Sequence, residues 1–130
     1  HPRTQVAARA ARNRSRAVAE INLAFQPDLL VLDASSVRGE AAPGGLVLTS
    51  GDRIALDVCG MAVLAALDHR PIQRGAGPWE EEYIQAAVAV GLGTPQPGRV
   101  KLVPDPDRAN DPLLARWLDD IQRRTGVTAG

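Results

Sequence analysis

Lysine, histidine, cysteine and aromatic side chains are nearly missing from this 130-residue chain. The single cysteine, Cys59, excludes an internal disulfide and any four-cysteine metal or cluster site within the chain. It sits in an apolar helical run and reads as a small buried residue. The two histidines support no nucleophilic triad, because His1 is terminal and His69 follows a helix whose negative end it favours. Aromatics are 3% of the residues, so the core must be built from Ala, Val, Leu and Ile. No apolar run approaches the roughly 20 residues that span a bilayer, so no membrane partner is expected. No continuous apolar run follows the basic start, which excludes a signal peptide and favours a cytoplasmic protein. No phosphate-loop lysine motif occurs. Gly75-Ala76-Gly77-Pro78-Trp79-Glu80 begins like a dinucleotide fingerprint, but it contains Pro, ends in Glu and follows no strand.

Charge of one sign is also missing. Fifteen basic residues balance fifteen acidic ones, which removes any general reason to expect nucleic acid as a partner. Lys101 is the only lysine, and the other bases are Arg. Their distribution is uneven: Arg3, Arg9, Arg12, Arg14 and Arg16 all precede the first acid, Glu20. That run reads either as a solvated helix face or as a docking surface for an acidic partner. The chain begins His1-Pro2 with no Met, and is read as part of a longer protein.

The length suits one domain with a real core, over residues 1–130. Ala17, Val18, Ile21, Ala24 and Phe25 recur at helical spacing until Pro27, and the pattern extends back to Thr4. Leu29 to Leu32 is a continuous β-type run ending at Asp33, expected to be a strand buried on both faces. Residues 34–45 read as a glycine-bearing loop, and Leu46 to Thr49 as the next strand. A parallel pair needs a crossover, usually a helix, and this link has no helical period. An antiparallel pair is therefore favoured, with Asp33 at the opposite end of the sheet from Ser50 and Asp52. A parallel pair would put all three at one edge.

Ile54, Ala55, Val58, Met61, Ala62, Ala65 and Ala66 make the core face of a second helix, ended by Asp68-His69-Arg70-Pro71. Ile72 to Gly77 reads as a loop. A third helix begins at Pro78, fills its first turn with Glu80, Glu81 and Glu82, and ends in a Schellman motif at Gly91-Leu92. Arg99 to Val103 is a short strand. The C-terminal helix, about 111–124, has Asp111 as N-cap, Pro112 at its first position, and a stripe of Leu113, Leu114, Trp117, Leu118 and Ile121. Trp79 and Trp117 read as core. The fold class is α/β: a small mixed sheet of about three or four strands with helices packed on it.

The strand-to-helix turn at Ser50-Gly51-Asp52 carries most of the candidate chemistry, since α/β proteins place ligands at such junctions. Asp52 can cap the second helix. Alternatively, Ser50, Gly51 and the helix N-terminus cradle an anion, with a divalent ion between Asp52 and a substrate oxygen. Asp57 lies about 140° round the helix from Asp52, so the two cannot form a side-by-side dyad. Asp57 is either on an exposed flank or partly buried against a partner, such as an Arg or a group from the glycine-rich loop. Asp33 is either a turn residue bonded to Ser35 or Ser36, or a ligand at the strand's end. Asp33, Ser50, Asp52 and Asp57 are the candidate ligand or metal residues.

Several pieces in order resemble a prokaryotic family, the domain of unknown function 362 family. They are Ala19-Glu20-Ile21-Asn22-Leu23-Ala24-Phe25, Pro27-Asp28-Leu29-Leu30-Val31-Leu32-Asp33-Ala34, the loop to Gly45, Val47-Leu48-Thr49-Ser50-Gly51-Asp52, Ile54-Ala55-Leu56-Asp57, and Tyr83-Ile84 with Gly91-Leu92-Gly93. The resemblance covers about residues 17–103 and is to the family's C-terminal half. It implies a partner segment, absent from this chain, with an iron–sulfur cluster of the four-iron four-sulfur type, and redox or metal-dependent chemistry supported jointly. No cofactor is implied within the chain itself. Arg53 stands where the family commonly has Pro, and Thr94-Pro95 replaces an Asp often found after Gly-Leu-Gly, which weakens the implied ligand binding at that end. The alternative class is a non-catalytic structural or partner-binding module.

Overall fold

The structure, a computed structural model, describes residues 2–37, 40–69 and 77–130. His1, part of the glycine-rich loop, Arg70-Pro71, most of the 72–77 loop and Gly75-Ala76 of the rejected fingerprint lie outside the described residues.

Strand β1 (Leu30–Asp33) pairs antiparallel with β4 (Val47–Ser50), as the helix-free connection requires. Leu30 stands opposite Ser50 and Asp33 opposite Val47, so Asp33 is at the far end of the ribbon from Ser50. Within the connection, β2 (Ser36–Val37) pairs with β3 (Glu40–Ala41). Strand β5 (Lys101–Leu102) runs parallel to β6 (Thr128–Ala129). The expected sheet of three or four strands is thus not continuous: the described strands form three separate pairs. The mixed helix and strand character holds, and the whole forms one unit around helix α2 (Arg53–Ala66).

Helix α2 is apolar on nearly every side, from Ile54 to Val63, and so lies in the middle of the protein. One side meets β1, Leu46 and the C-terminal helix α4 (Pro112–Thr125) through Ala55, Cys59, Ala62 and Val63. The other carries Ile54, Val58 and Met61 onto Ile84 of α3 (Glu82–Ala89). Gly60 faces β1 where a Cβ would lie 2.8 Å from Leu32 Cδ1, so its missing side chain lets the strand approach. Burial pushes the Cys59 thiol up to about 11, which leaves it protonated and unreactive at neutral pH.

Three expectations need correction. The strand β1 is buried on one face only: Leu30 and Leu32 turn inward, while Val31 is 62% exposed. The third helix is broken. Pro78–Glu80 forms a 3₁₀ turn, Glu81 is extended, and α3 starts at Glu82. Residues Ala17, Val18, Ile21, Ala24 and Phe25 are not a core stripe. Helix α1 (Pro2–Asn22) packs on α3; along it Ala19 is buried and Ser15 and Asn22 are half-buried, while Val18, Ile21 and, past the helix end, Phe25 are exposed. From Arg9 to Arg14 every α1 side chain is exposed, so the arginine-rich part of the helix projects from the body.

Helix ends follow local chemistry. Asp111 Oδ1 accepts from Leu113 N at 2.9 Å, and Gly91 (φ +77°) closes α3 with Leu92 N donating to Ala87 O at 3.0 Å. Helix α2 ends the same way, with His69 N on Leu64 O, but its left-handed residue is Asp68 at φ 57°. Aspartate tolerates that region at a cost that glycine avoids. Asp68→Gly is expected to raise stability by about 0.5–1 kcal/mol, read as a higher urea midpoint at unchanged slope.

Candidate functional site

The Ser50-Gly51-Asp52 turn is built as a clamp. Ser50 Oγ accepts from Asp52 N at 2.9 Å, which folds the chain from β4 into α2. Asp52 Oδ1 accepts from Ala55 N at 2.9 Å, the cap that the sequence suggests. Its other oxygen, Oδ2, accepts from Thr94 N at 2.6 Å and ties down the loop after α3. A Cβ on Gly93 would lie 2.4 Å from Asp52 Oδ1, so this approach requires glycine. Burial works to raise the Asp52 pKa, but hydrogen bonds from Ala55, Thr94 and Ile54 outweigh it, and the net shift is downward. Both carboxylate oxygens are occupied by backbone N–H groups, an arrangement that orders two loops.

Asp33 lies at the other end of the ribbon, exposed, and accepts from Ser35 N at 2.8 Å. The Ser35 hydrogen bonds hold its carboxyl below the usual range. This is the Asx turn that its sequence position suggests. The four candidates therefore do not converge. Ser50 and Asp52 belong together; Asp33 and Asp57 do not join them.

Asp57 is exposed, and no group of the glycine-rich loop appears among its described partners. It borders an open cleft of about 620 Å³ with Asn22, Phe25, Leu30 and Arg53. The Arg53 guanidinium is directed elsewhere: Nη1 donates to Asn22 O at 2.5 Å, at the negative end of α1. Protein packed beside Asp57 removes part of its hydration and raises its pKa. The same carboxylate helps lift Tyr83, second to burial, up to about 12. The Tyr83 hydroxyl meets Met61 Sδ at 2.8 Å.

A carboxylate whose pKa is higher folded than unfolded binds its proton more tightly in the native state. Its contribution is favourable in acid and is lost as pH rises through the folded value. Asp57→Asn is therefore expected to raise the melting temperature slightly at pH 7, and the gain should vanish at about pH 3, where the carboxyl is protonated. Thermal scans at the two pH values check this.

Among the described residues, no three His, Cys, Asp or Glu side chains converge as a metal-binding group. No described helix is long and apolar enough to cross a membrane. Several large apolar side chains are exposed. Leu29, Val31 and Val47 line the outer face of the β1–β4 ribbon, and Val18, Ile21 and Phe25 lie at the end of α1. The sequence hid this surface because each residue also fits a core. Its signal is the count of strands: one ribbon flanked by helices on one side leaves its other face uncovered. In comparison with known proteins, the chain matches no family model, no curated protein and no solved structure.

Proposed function

We propose that this chain is a non-catalytic partner-binding module, related to the C-terminal half of the domain of unknown function 362 family. Its bare ribbon face receives a polypeptide segment. The observation that carries the reading is the exposure of Val31 and Val47, 62% and 57%, on adjacent strands. The solvated face of an antiparallel pair is normally polar, so valines there, with exposed Leu29 beside them, mark a face that another chain can cover. The occupied oxygens of Asp52 favour this module over a metal or substrate corner. Redox or metal-dependent chemistry then belongs to the partner, for which the family resemblance implies an iron–sulfur segment, in a cytoplasmic setting.

Co-expression with the segment encoded upstream in the same reading frame tests the proposal. The expected result is a complex by sedimentation velocity, lost in Val31→Asp while the melting temperature of the isolated chain stays unchanged. Surface changes of this kind cost within about 0.5 kcal/mol. Lack of such a segment, or a complex indifferent to Val31→Asp, overturns it. Calorimetric titration with divalent ions is expected to give no heat; an ion site lost in Asp52→Asn would restore the metal reading.

A further inference from the structure

The balance of fifteen basic and fifteen acidic residues hides a separation. Through Asn22 the chain carries five arginines and one acid, whereas residues 23–130 carry ten basic and fourteen acidic residues. The positive excess therefore lies on α1, where Arg9, Arg12, Arg14 and Arg16 are exposed. Of these four, only Arg16 has an acidic partner among the described residues, Glu20 at 2.7 Å, and that pair is itself open to solvent.

Helical phase sorts the segment. Burial on α1 falls on Ser15, Ala19 and Asn22. At about 100° per residue, Ala10, Asn13 and Ala17 lie on the opposite side, directed away from the body. All three are exposed. Arg14 is about 70° round the helix to one side of that strip, and Arg9 and Arg16 are about 70–90° to the other, with Arg12 farther round. A strip of small side chains and one amide is thus flanked by arginine on both sides. From Ser15 back to Arg9 is about 9 Å along the axis. That is about one Debye length at physiological ionic strength, so the acids of the body are partly screened from this end.

We propose that the exposed part of α1 lies in the major groove of duplex DNA, with the Ala10–Asn13–Ala17 strip toward the base edges and the arginines of its two flanks against the two phosphate walls. This goes beyond the partner-binding reading and rests on a different surface. The occupant follows from the two flanks. A flat acidic surface, of a protein or a lipid headgroup layer, meets one side of a helix and leaves the arginines of the other unmatched. A groove about 12 Å wide admits a helix and has phosphates on both walls. Guanidinium groups suit phosphate oxygens, which they bind through two parallel hydrogen bonds. Ala10 and Ala17 let the helix approach the groove floor, and Asn13 offers the amide that pairs with an adenine edge. The major groove of double-stranded RNA is too deep and narrow to be entered this way. The strip holds no bulky apolar side chain to enter a bilayer.

The test is fluorescence anisotropy of the 130-residue chain with a labelled duplex of about 20 base pairs, between roughly 50 and 200 mM salt. Four phosphate contacts predict a slope of about −3.6 in log affinity against log salt. Arg9→Gln, Arg12→Gln and Arg14→Gln should each make that slope shallower by about 0.9, with helix content by circular dichroism unchanged. Asn13→Ala should leave the slope as it is and flatten the preference among duplexes selected from a random pool. Lack of a complex at low salt, a silent Arg14→Gln beside effective Arg9→Gln and Arg12→Gln, or a pool without a preferred sequence overturns the groove. Equal or tighter binding to double-stranded RNA, polyglutamate or anionic vesicles overturns it too. Val31→Asp is expected to leave duplex binding intact; its loss in that variant would place the DNA on the ribbon face and overturn the assignment to α1.

Discussion

Trp117→Ala is expected to remove about 3–5 kcal/mol, the cost of emptying a buried tryptophan site. Trp117 is 7% exposed and belongs to the cluster that joins α2, α4 and the residues around Ala42 and Leu46. Its indole N–H donates to Pro43 O at 3.1 Å, across 74 positions of sequence, and fastens the end of the glycine-bearing loop to α4. The change would consume a large share of the 5–15 kcal/mol typical of a domain, and the melting temperature should fall by roughly 10–20 °C. Trp117→Phe separates the two contributions. It keeps most of the ring but leaves the Pro43 carbonyl without this donor, for about 1 kcal/mol from the hydrogen bond and a further packing loss. Urea denaturation at equal slope checks both. A loss below about 1 kcal/mol for Trp117→Ala would mean that the site is open enough to collapse or fill with water.

What could be read from the chain follows the range of the interaction concerned. Asp52 and Asp111 are legible as caps because a cap is decided within three residues. Gly91 closes α3 for an equally local reason. The antiparallel pairing of β1 and β4 is legible because their link is too poor in helix signal for a crossover. Burial is different, since it depends on what arrives from elsewhere. Val18, Ile21 and Phe25 have core spacing, yet the burial on α1 falls on the neighbouring Ser15–Ala19–Asn22 strip instead. Leu30 to Leu32 suits a strand covered on both faces, but the chain supplies helices to one. The candidate site splits the same way. Local geometry separates Asp52 from Asp57, and register separates it from Asp33. The Thr94 contact, 42 residues away, left one trace in the sequence: Gly93 beside it, at a position where only a missing side chain admits the carboxylate.

That contact makes Asp52 and Gly93 a coupled pair. Asp52→Ala removes the cap on α2, worth about 1 kcal/mol, and the acceptor for Thr94 N, worth about another 1–2 kcal/mol as a charge-assisted bond. A total loss of about 2–3 kcal/mol is expected. Gly93→Ala should cost a similar amount by a different route, because its Cβ would stand 2.4 Å from Asp52 Oδ1 and must push the carboxylate out of the cap or displace the loop. Once Asp52 is Ala the obstacle is gone, so the double variant should be less unstable than the sum of the two, by about 1 kcal/mol or more. Strict additivity would show that the turn and the loop are not joined through this carboxylate. The pH dependence has a fixed sign. The folded Asp52 pKa is lowered, so its stabilisation is complete above the unfolded value, near 3.9, and is lost as pH falls through the folded one. Asp52→Asn should therefore lose most against the parent at neutral pH and converge with it in strong acid. Asp57→Asn also converges with the parent in acid, but starts above it at pH 7. The two variants have the same chemistry on one helix, and opposite signs at neutral pH would distinguish a carboxylate that holds the fold from one that overlooks a cleft.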